Sequence, residues 1–221
     1  MPKILTVTLA RGGSKGIKNK NIVKIKNIPL IAYTIKEAKK SKLVDEYIVS
    51  TDSKKIASVA KKYGASIPFL RPLKYSNAKS SSVSALKHAV KFMEKKNKIK
   101  YDYIVELMCT NPLKKSEDID SCIKKIINIK CNAVIAVHQL FDNHPARIKK
   151  IVKNRLVNFC VPEKKEARRQ DLKPLAYVRS GSIYVMTRKY LMQNNRRHGN
   201  IGNVPYILPP QRAINIDTHN D

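Results

Sequence analysis

The chain has 221 residues, a length that fits one domain on a prior of about 150 residues per domain, or one domain with an appendage, and it is long enough to bury a sizeable core. Hydrophobic residues make up 43% and charged residues 28% of the sequence, which excludes a disordered or fibrous chain, because there is apolar surface enough to offset the entropy of ordering. Lys and Arg number 45 against 16 Asp and Glu, a net charge of +29; such a field favours phosphates, nucleic acid or an anionic membrane as partners without choosing among them.

Ile4 to Leu9 is a short apolar run that stops at Arg11-Gly12-Gly13-Ser14-Lys15-Gly16 and reads as a strand feeding a glycine-rich loop. Pro29 to Lys40 has helical spacing, with Pro at the start and Lys39 and Lys40 at the negative end of the dipole. Tyr47-Ile48-Val49 is strand-like. Ser53 then caps a helix whose Ile56, Val59, Ala60 and Tyr63 share one face. Ile67 to Leu70 is a third apolar run, with Arg71 at its end. Val83, Leu86, Val90 and Met93 line a further helix, Tyr103-Ile104-Val105 forms a strand, and Ser116 opens a helix with Ile119, Ile123, Ile126 and Ile127 inward. Ala133 to Val137 is the next strand.

This alternation predicts an α/β, Rossmann-like fold, a mostly parallel sheet with helices on both faces, and ligands gathered at the C-terminal strand edge. After Val137 the rhythm fails. Residues 138–180 are polar with scattered apolar positions and read as an excursion from the sheet or a dimerisation arm, before a last strand at Ile183-Tyr184-Val185-Met186. The apolar segment Ile4 to Ala10, broken by Thr6 and Thr8, is too short for a signal-peptide core, and no run approaches the ~18 to 20 residues of a membrane span. No membrane association is expected. Cys109, Cys122, Cys131 and Cys160 have neither disulfide-framework nor zinc spacing, which fits a reducing cytosol.

Up to residue 146 the positive charge is nearly all lysine, with Arg11 and Arg71 the arginines. Arginine supplies a planar fork where lysine supplies a point charge, so both positions are candidates for anion or base recognition. The alternative is that they are accidents of composition. The loop glycines make neither G-x-G-x-x-G nor the P-loop pattern, yet Arg11, Ser14, Lys15, Lys18, Lys20 and Asn21 concentrate donors in a way that suits a triphosphate. A basic surface turn would look similar. His88 reads as structural, and the other histidines share no spacing for a triad or metal cluster.

The run Leu9-Ala10-Arg11-Gly12-Gly13-Ser14-Lys15-Gly16-Ile17-Lys18-Asn19-Lys20-Asn21 resembles the signature of the CMP-sialic acid synthetases, or acylneuraminate cytidylyltransferases, including those acting on legionaminic acid. Ser50-Thr51-Asp52, Arg71-Pro72, Thr110-Asn111-Pro112-Leu113, Arg169-Gln170, Gly181-Ser182-Ile183-Tyr184 and Ile214-Asn215-Ile216-Asp217-Thr218 resemble further landmarks of that family in the same order. The resemblance spans nearly the whole chain. It implies a single nucleotidyltransferase domain over 1–221 that transfers CMP from CTP to the anomeric hydroxyl of a nine-carbon 2-keto sugar acid with Mg²⁺, releasing pyrophosphate.

By the same resemblance, Arg11, Lys20 and the backbone of Gly12, Gly13, Ser14 and Lys15 hold the triphosphate, Asn21 assists, Arg71 reads cytosine, and Ser80 and Ser82 meet the ribose. A helix N-cap is the competing role for Ser80. On the acceptor side, Arg169, Gln170, Ser180 and Tyr184 match positions near the sugar acid. Arg168 competes with Arg169 for its carboxylate, and Tyr184 reads equally as a core residue. Asp217 and Asn215 fall at the metal site.

Several positions depart from the pattern: Asn215 stands where an aspartate is usual, Ala78 where an acidic residue is, Met108 where glutamine is, and Ser180 where asparagine is. These leave the sugar acid open and the metal weakened. A homodimer is expected, with 138–180 reaching the partner. The competing readings are a nucleotidyltransferase for another NTP or a sugar acid such as Kdo, an inactive relative, and a nucleic-acid-binding protein; the last is disfavoured because no recognised nucleic-acid motif is present.

Overall fold

The computed structural model describes residues 2–14, 16–77, 80–162, 168–199, 202–218 and 220–221. Lys15 and Ala78 therefore lie outside the described residues. Strand β1 is Ile4–Leu9, followed by a two-residue hairpin of β2 (Lys24–Ile25) and β3 (Ile28–Pro29), helix α1 (Leu30–Lys40), β4 (Glu46–Ser50), α2 (Lys54–Lys62), α3 (Ser82–Asn97), β5 (Tyr103–Leu107) and α4 (Ser116–Ile129). The second part contains β6 (Ala133–Leu140), the hairpin β7 (Lys149–Val152) and β8 (Arg155–Asn158), β9 (Ala176–Thr187), α5 (Arg188–Met192) and β10 (Asn203–Ile207).

Six strands form one sheet in the order β10-β6-β9-β5-β1-β4. β1 is parallel to β4 and β5, and β6 to β10; β9 is antiparallel to both of its neighbours. Alternate residues of these strands enter opposite layers, as the pleat requires. Leu5, Val7, Ile104, Tyr184 and Met186 pack with Leu86, Ala89, Val90 and Met93 of α3. Ile4, Val105, Leu107, Ile183 and Val185 pack instead with Ile119, Cys122, Ile123 and Ile126 of α4. Helices therefore cover both faces, as the alternation predicts. Ser53 accepts the Ile56 N–H at the start of α2, the cap expected from sequence.

Three local expectations are corrected. The cap of α3 is Ser81, which accepts the Ser84 N–H at 3.1 Å, and not Ser80. Ser80 is tied into the preceding turn, its N–H donating to Asn77 O at 3.1 Å and its hydroxyl to Lys74 O at 2.9 Å, so the next serine is left to cap. Ile67 to Leu70, the third apolar run, forms no regular strand and joins the sheet at a single bridge, Leu70 with Thr51. The 138–180 stretch is in part sheet: β6 runs through Leu140, and β9 pairs with it from Ala176 onward. Between them the β7–β8 hairpin stands out, exposed along nearly its whole length. β10 carries Pro205, which is tolerated because β10 is the edge of the sheet. Among the described residues no helix is long and apolar enough to cross a membrane.

Candidate active site

A cleft of about 560 Å³ opens at the C-terminal strand edge, between the ends of β1 and β5 and the start of α3. Its size is that of a typical small-molecule site. From β1 and the loop after it come Leu9, Arg11, Ser14 and Gly16, then Lys20 and Asn21; Arg71, Tyr75, Ser76 and Asn77 close a second side, and Ser80, Ser81 and Ser82 a third. Glu106 and Met108 from the end of β5, with Asp217 from the C-terminal segment, complete the wall. Arg11 and Arg71, far apart in sequence, thus share one crevice.

The loop is held from below. Asp52, just past β4, accepts the Gly12 N–H at 2.9 Å, and its Oδ1 lies 3.8 Å from Arg71 Nη2. Arg71 Nε also donates to Ser76 Oγ at 2.9 Å, so the guanidinium plane is fixed before any ligand binds. Burial lowers the Arg71 pKa from its ordinary value; Asp52 opposes the shift and Arg11 adds to it. Two loop amides are engaged within the protein, Gly12 to Asp52 and Ser14 to Gly12 O at 3.1 Å, while the side chains of Arg11, Ser14 and Lys20 line the cleft. Asn21 steadies the loop by donating from Nδ2 to Arg11 O at 3.0 Å.

Lys20 Nζ meets Asp217 Oδ1 at 2.7 Å. A Cβ on Gly16 would stand 2.7 Å from the Asp217 carbonyl oxygen, so the absence of a side chain there is what lets the C-terminal segment reach the loop. Asn215 does not line the cleft: its Nδ2 donates to Ser180 O at 2.7 Å and its Oδ1 is buried without a partner among the described residues. No group of three or more His, Cys, Asp or Glu converges as a metal site among the described residues.

The acceptor-side candidates are scattered. Ser180 is fully buried, donating to Ala136 O at 2.9 Å and facing Ser182 Oγ at 2.6 Å. Tyr184 packs in the core, 5% exposed, with the Arg197 guanidinium over its ring. Arg169 and Gln170 line a separate cavity of about 210 Å³ with Phe141 and His144, which shares no lining residue with the cleft. There Arg169 Nη1 is 3.4 Å from Asp142, and Arg168 pairs with Asp171 at 2.7 Å. His88 sits among Phe69, Tyr75 and Phe92, in a structural setting.

Sequence reading missed Tyr75, Ser76, Asn77 and Glu106. For the first three there was no signal, since a polar turn marks many loops. For Glu106 there was one: it is a charge inside the otherwise apolar run Tyr103 to Leu107, and charged residues are almost never fully buried without a partner.

Residues 5–196 match the family described as Cytidylyltransferase. The chain is 33% identical to CMP-N,N'-diacetyllegionaminic acid synthase of Campylobacter jejuni, over 100% of this chain and 92% of that protein. It is 32% identical to pseudaminic acid cytidylyltransferase of the same species, over 99% of this chain and 93% of that one. CMP:2-keto-3-deoxy-manno-octonic acid synthetase in complex with CTP has the same fold, with a TM-score of 0.68 at 16% identity over 98% of this chain and 93% of the other. With a match that covers most of its length and a basic cleft at the expected strand edge, this chain belongs to the cytidylyltransferase family.

Proposed function

We propose that this cytidylyltransferase moves CMP from CTP to the anomeric hydroxyl of a nonulosonic acid and releases pyrophosphate. The observation that carries the reading is the convergence of Arg11, Lys20 and Arg71 on one cleft. The similarity to enzymes named for legionaminic and pseudaminic acids supports the acceptor class. Their identities to this chain, 33% and 32%, favour neither acid over the other.

In the reaction the sugar hydroxyl attacks the α-phosphorus in line, and charge grows on the phosphate oxygens and on the departing pyrophosphate, so the protein must position the reactants and stabilise negative charge. Arg11 and Lys20 face that charge. The N-terminus of α3, with Ser81 and Ser82 on the cleft wall, adds a positive dipole end. Arg71, braced by Ser76 and Asp52, directs its fork at the adjacent O2 and N3 acceptors of cytosine. Ser80 and Ser82 lie within the same wall for the ribose.

The donor set fits Mg²⁺ at Asp217, a hard carboxylate on the cleft wall whose side chain is 64% exposed. Magnesium commonly binds through one or two carboxylates plus substrate phosphates. When bound it would neutralise triphosphate charge. Asn215, occupied with Ser180, is a strut for this segment. Lys20 holds the Asp217 carboxylate at the cleft until the nucleotide arrives.

A homodimer is part of the proposal. Ile151 and Leu156 on the hairpin are each 74% exposed and Phe159 beside it 59%, an apolar surface that a second copy would cover. The free thiols of all four cysteines accord with a reducing cytoplasm. The decisive experiment is incubation with CTP, Mg²⁺ and a set of sialic, legionaminic, pseudaminic and Kdo acids, scored by product mass. A CMP adduct of a nine-carbon acid is expected. Turnover of Kdo alone, or of another nucleotide in a pyrophosphate-release panel, would overturn the assignment.

A further inference from the structure

Glu106 is the one charged residue of β5, fully buried yet part of the cleft wall beside Met108. A carboxylate in that position has lost its water and needs polar compensation. Half of it is supplied. Oε2 receives Nη1 of Arg197, whereas Oε1 has no hydrogen-bond partner among the described residues. Arg197 is itself anchored: its guanidinium lies over the Tyr184 ring, 4.7 Å from the centroid, and its Nη1 is 3.9 Å from Met108 Sδ. One oxygen is therefore pinned by the arginine, and the other is buried without a partner in the stretch of cleft wall that Glu106 and Met108 share.

We infer that Glu106 selects the acceptor sugar acid, its free Oε1 accepting a hydrogen bond from the N–H of an N-acylamino substituent while Met108 takes the acyl methyl. This rests on the reading that the cleft admits the sugar acid beside the nucleotide. The chemistry excludes other occupants of that corner. A phosphate or the sugar's own carboxylate would meet Oε1 as like charge at short range. A bare hydroxyl would satisfy Oε1 but present no apolar group to Met108; an acylamino group carries the donor and the methyl side by side, and methionine adapts to such a shape. Burial raises the Glu106 pKa from the ordinary carboxylate value and Arg197 opposes the rise.

The test is steady-state kinetics of Glu106→Gln with an N-acylated sugar acid and with its deaminated analogue, which has a hydroxyl in place of the acylamino group. A carboxamide has a single acceptor oxygen. Arg197, which only donates, claims it, so the amide NH₂ turns to the cleft and opposes a substrate N–H. The expected result is a rise in KM for the N-acylated acid of about tenfold or more, a KM for CTP within about twofold of the original, and a reduced preference over the deaminated analogue, as loss of a charged hydrogen bond implies.

An unchanged preference, or a rise confined to CTP, overturns the inference and leaves the proposed reaction standing. Should Glu106→Gln fail to fold with Arg197 unpaired, the double variant Glu106→Leu with Arg197→Met removes both charges together, a replacement that buried pairs commonly tolerate; the same rise and the same loss of preference are expected, and their absence is equally fatal. If the unmodified protein forms no CMP adduct with any sugar acid, the underlying reading fails first and this inference falls with it.

Discussion

Arg71 enters the cleft held at two nitrogens, by Ser76 Oγ at 2.9 Å and by Asp52 at 3.8 Å. A braced fork discriminates where a mobile ammonium does not, because a lysine cannot present two parallel donors to adjacent acceptors. Arg71→Lys is therefore expected to weaken CTP by about 1.5 to 3 kcal/mol, the range for charged hydrogen bonds, and the other triphosphates by less. Competitive titration of the four nucleotides measures this; an equal loss for all four would rule out base reading at Arg71. The scarcity of arginine up to residue 146 made Arg71 visible in the sequence. Its braces were not visible, since Asp52 lies beyond a different strand and Ser76 in an irregular turn. Asn215 shows the reverse: a motif position marks it for metal, and the backbone of Ser180 captures its amide.

The connection after β5 depends on one buried lysine. Lys114, 1% exposed, donates from Nζ to Thr34 Oγ1 on α1 at 2.9 Å, to Met108 O at 2.8 Å and to Asn111 O. The turn that carries Met108 to the cleft is thereby fixed to α1. Lys114→Met removes the donor these three groups share, leaving Asn111 O unpaired and Met108 O with only the long bond from Thr34 Oγ1 at 3.4 Å, and is expected to destabilise the fold by about 2 to 4 kcal/mol, from roughly 1 to 3 kcal/mol per unsatisfied group together with the lost tie to α1. Burial pushes the Lys114 pKa down to about 7. The unfolded chain keeps that proton to about pH 10.4, so between these values the unfolded state binds more protons and stability rises with pH. Urea denaturation at pH 7 and pH 9 should show the unmodified protein gaining on Lys114→Met by up to about 2 kcal/mol. A constant difference would show that the amine titrates outside this window. Helix positions were legible at this scale because apolar spacing marks them, and Ser53 announced its cap. The shift of the α3 cap from Ser80 to Ser81 was not legible, because the turn that occupies Ser80 is built by Lys74 and Asn77.

Across the molecule, the β7–β8 hairpin is the part of the structure that its own core does not explain. Its strands are short, paired only with each other, and bear Ile151, Val152 and Leu156 in the open. An isolated two-stranded hairpin is marginal in water, so a second copy seated on it would stabilise both. Light scattering on a sizing column is expected to give a dimer for the unmodified protein. For Leu156→Asp a monomer is expected, with the thermal midpoint of the subunit itself little changed, because surface substitutions usually stay within about 0.5 kcal/mol. A monomeric unmodified protein would discard the dimer.

The main strands and helices from β1 to β6, the sheet class and the strand edge where the cleft lies followed from the sequence alone, because hydrophobic periodicity and a glycine-rich loop after the first strand are local signals that burial enforces; the β2–β3 and β7–β8 hairpins, α5 and the edge strand β10, which follows the strand read as the last one, did not. Which side chains meet was decided by tertiary structure. Arg11 and Arg71 converge, Asp217 reaches Gly16, and Glu106 is left with one unpartnered oxygen in the cleft wall it shares with Met108. Arg169 and Gln170 are carried to a different cavity. Contacts between residues distant along the chain depend on how layers pack, and no pattern of neighbouring residues encodes that distance.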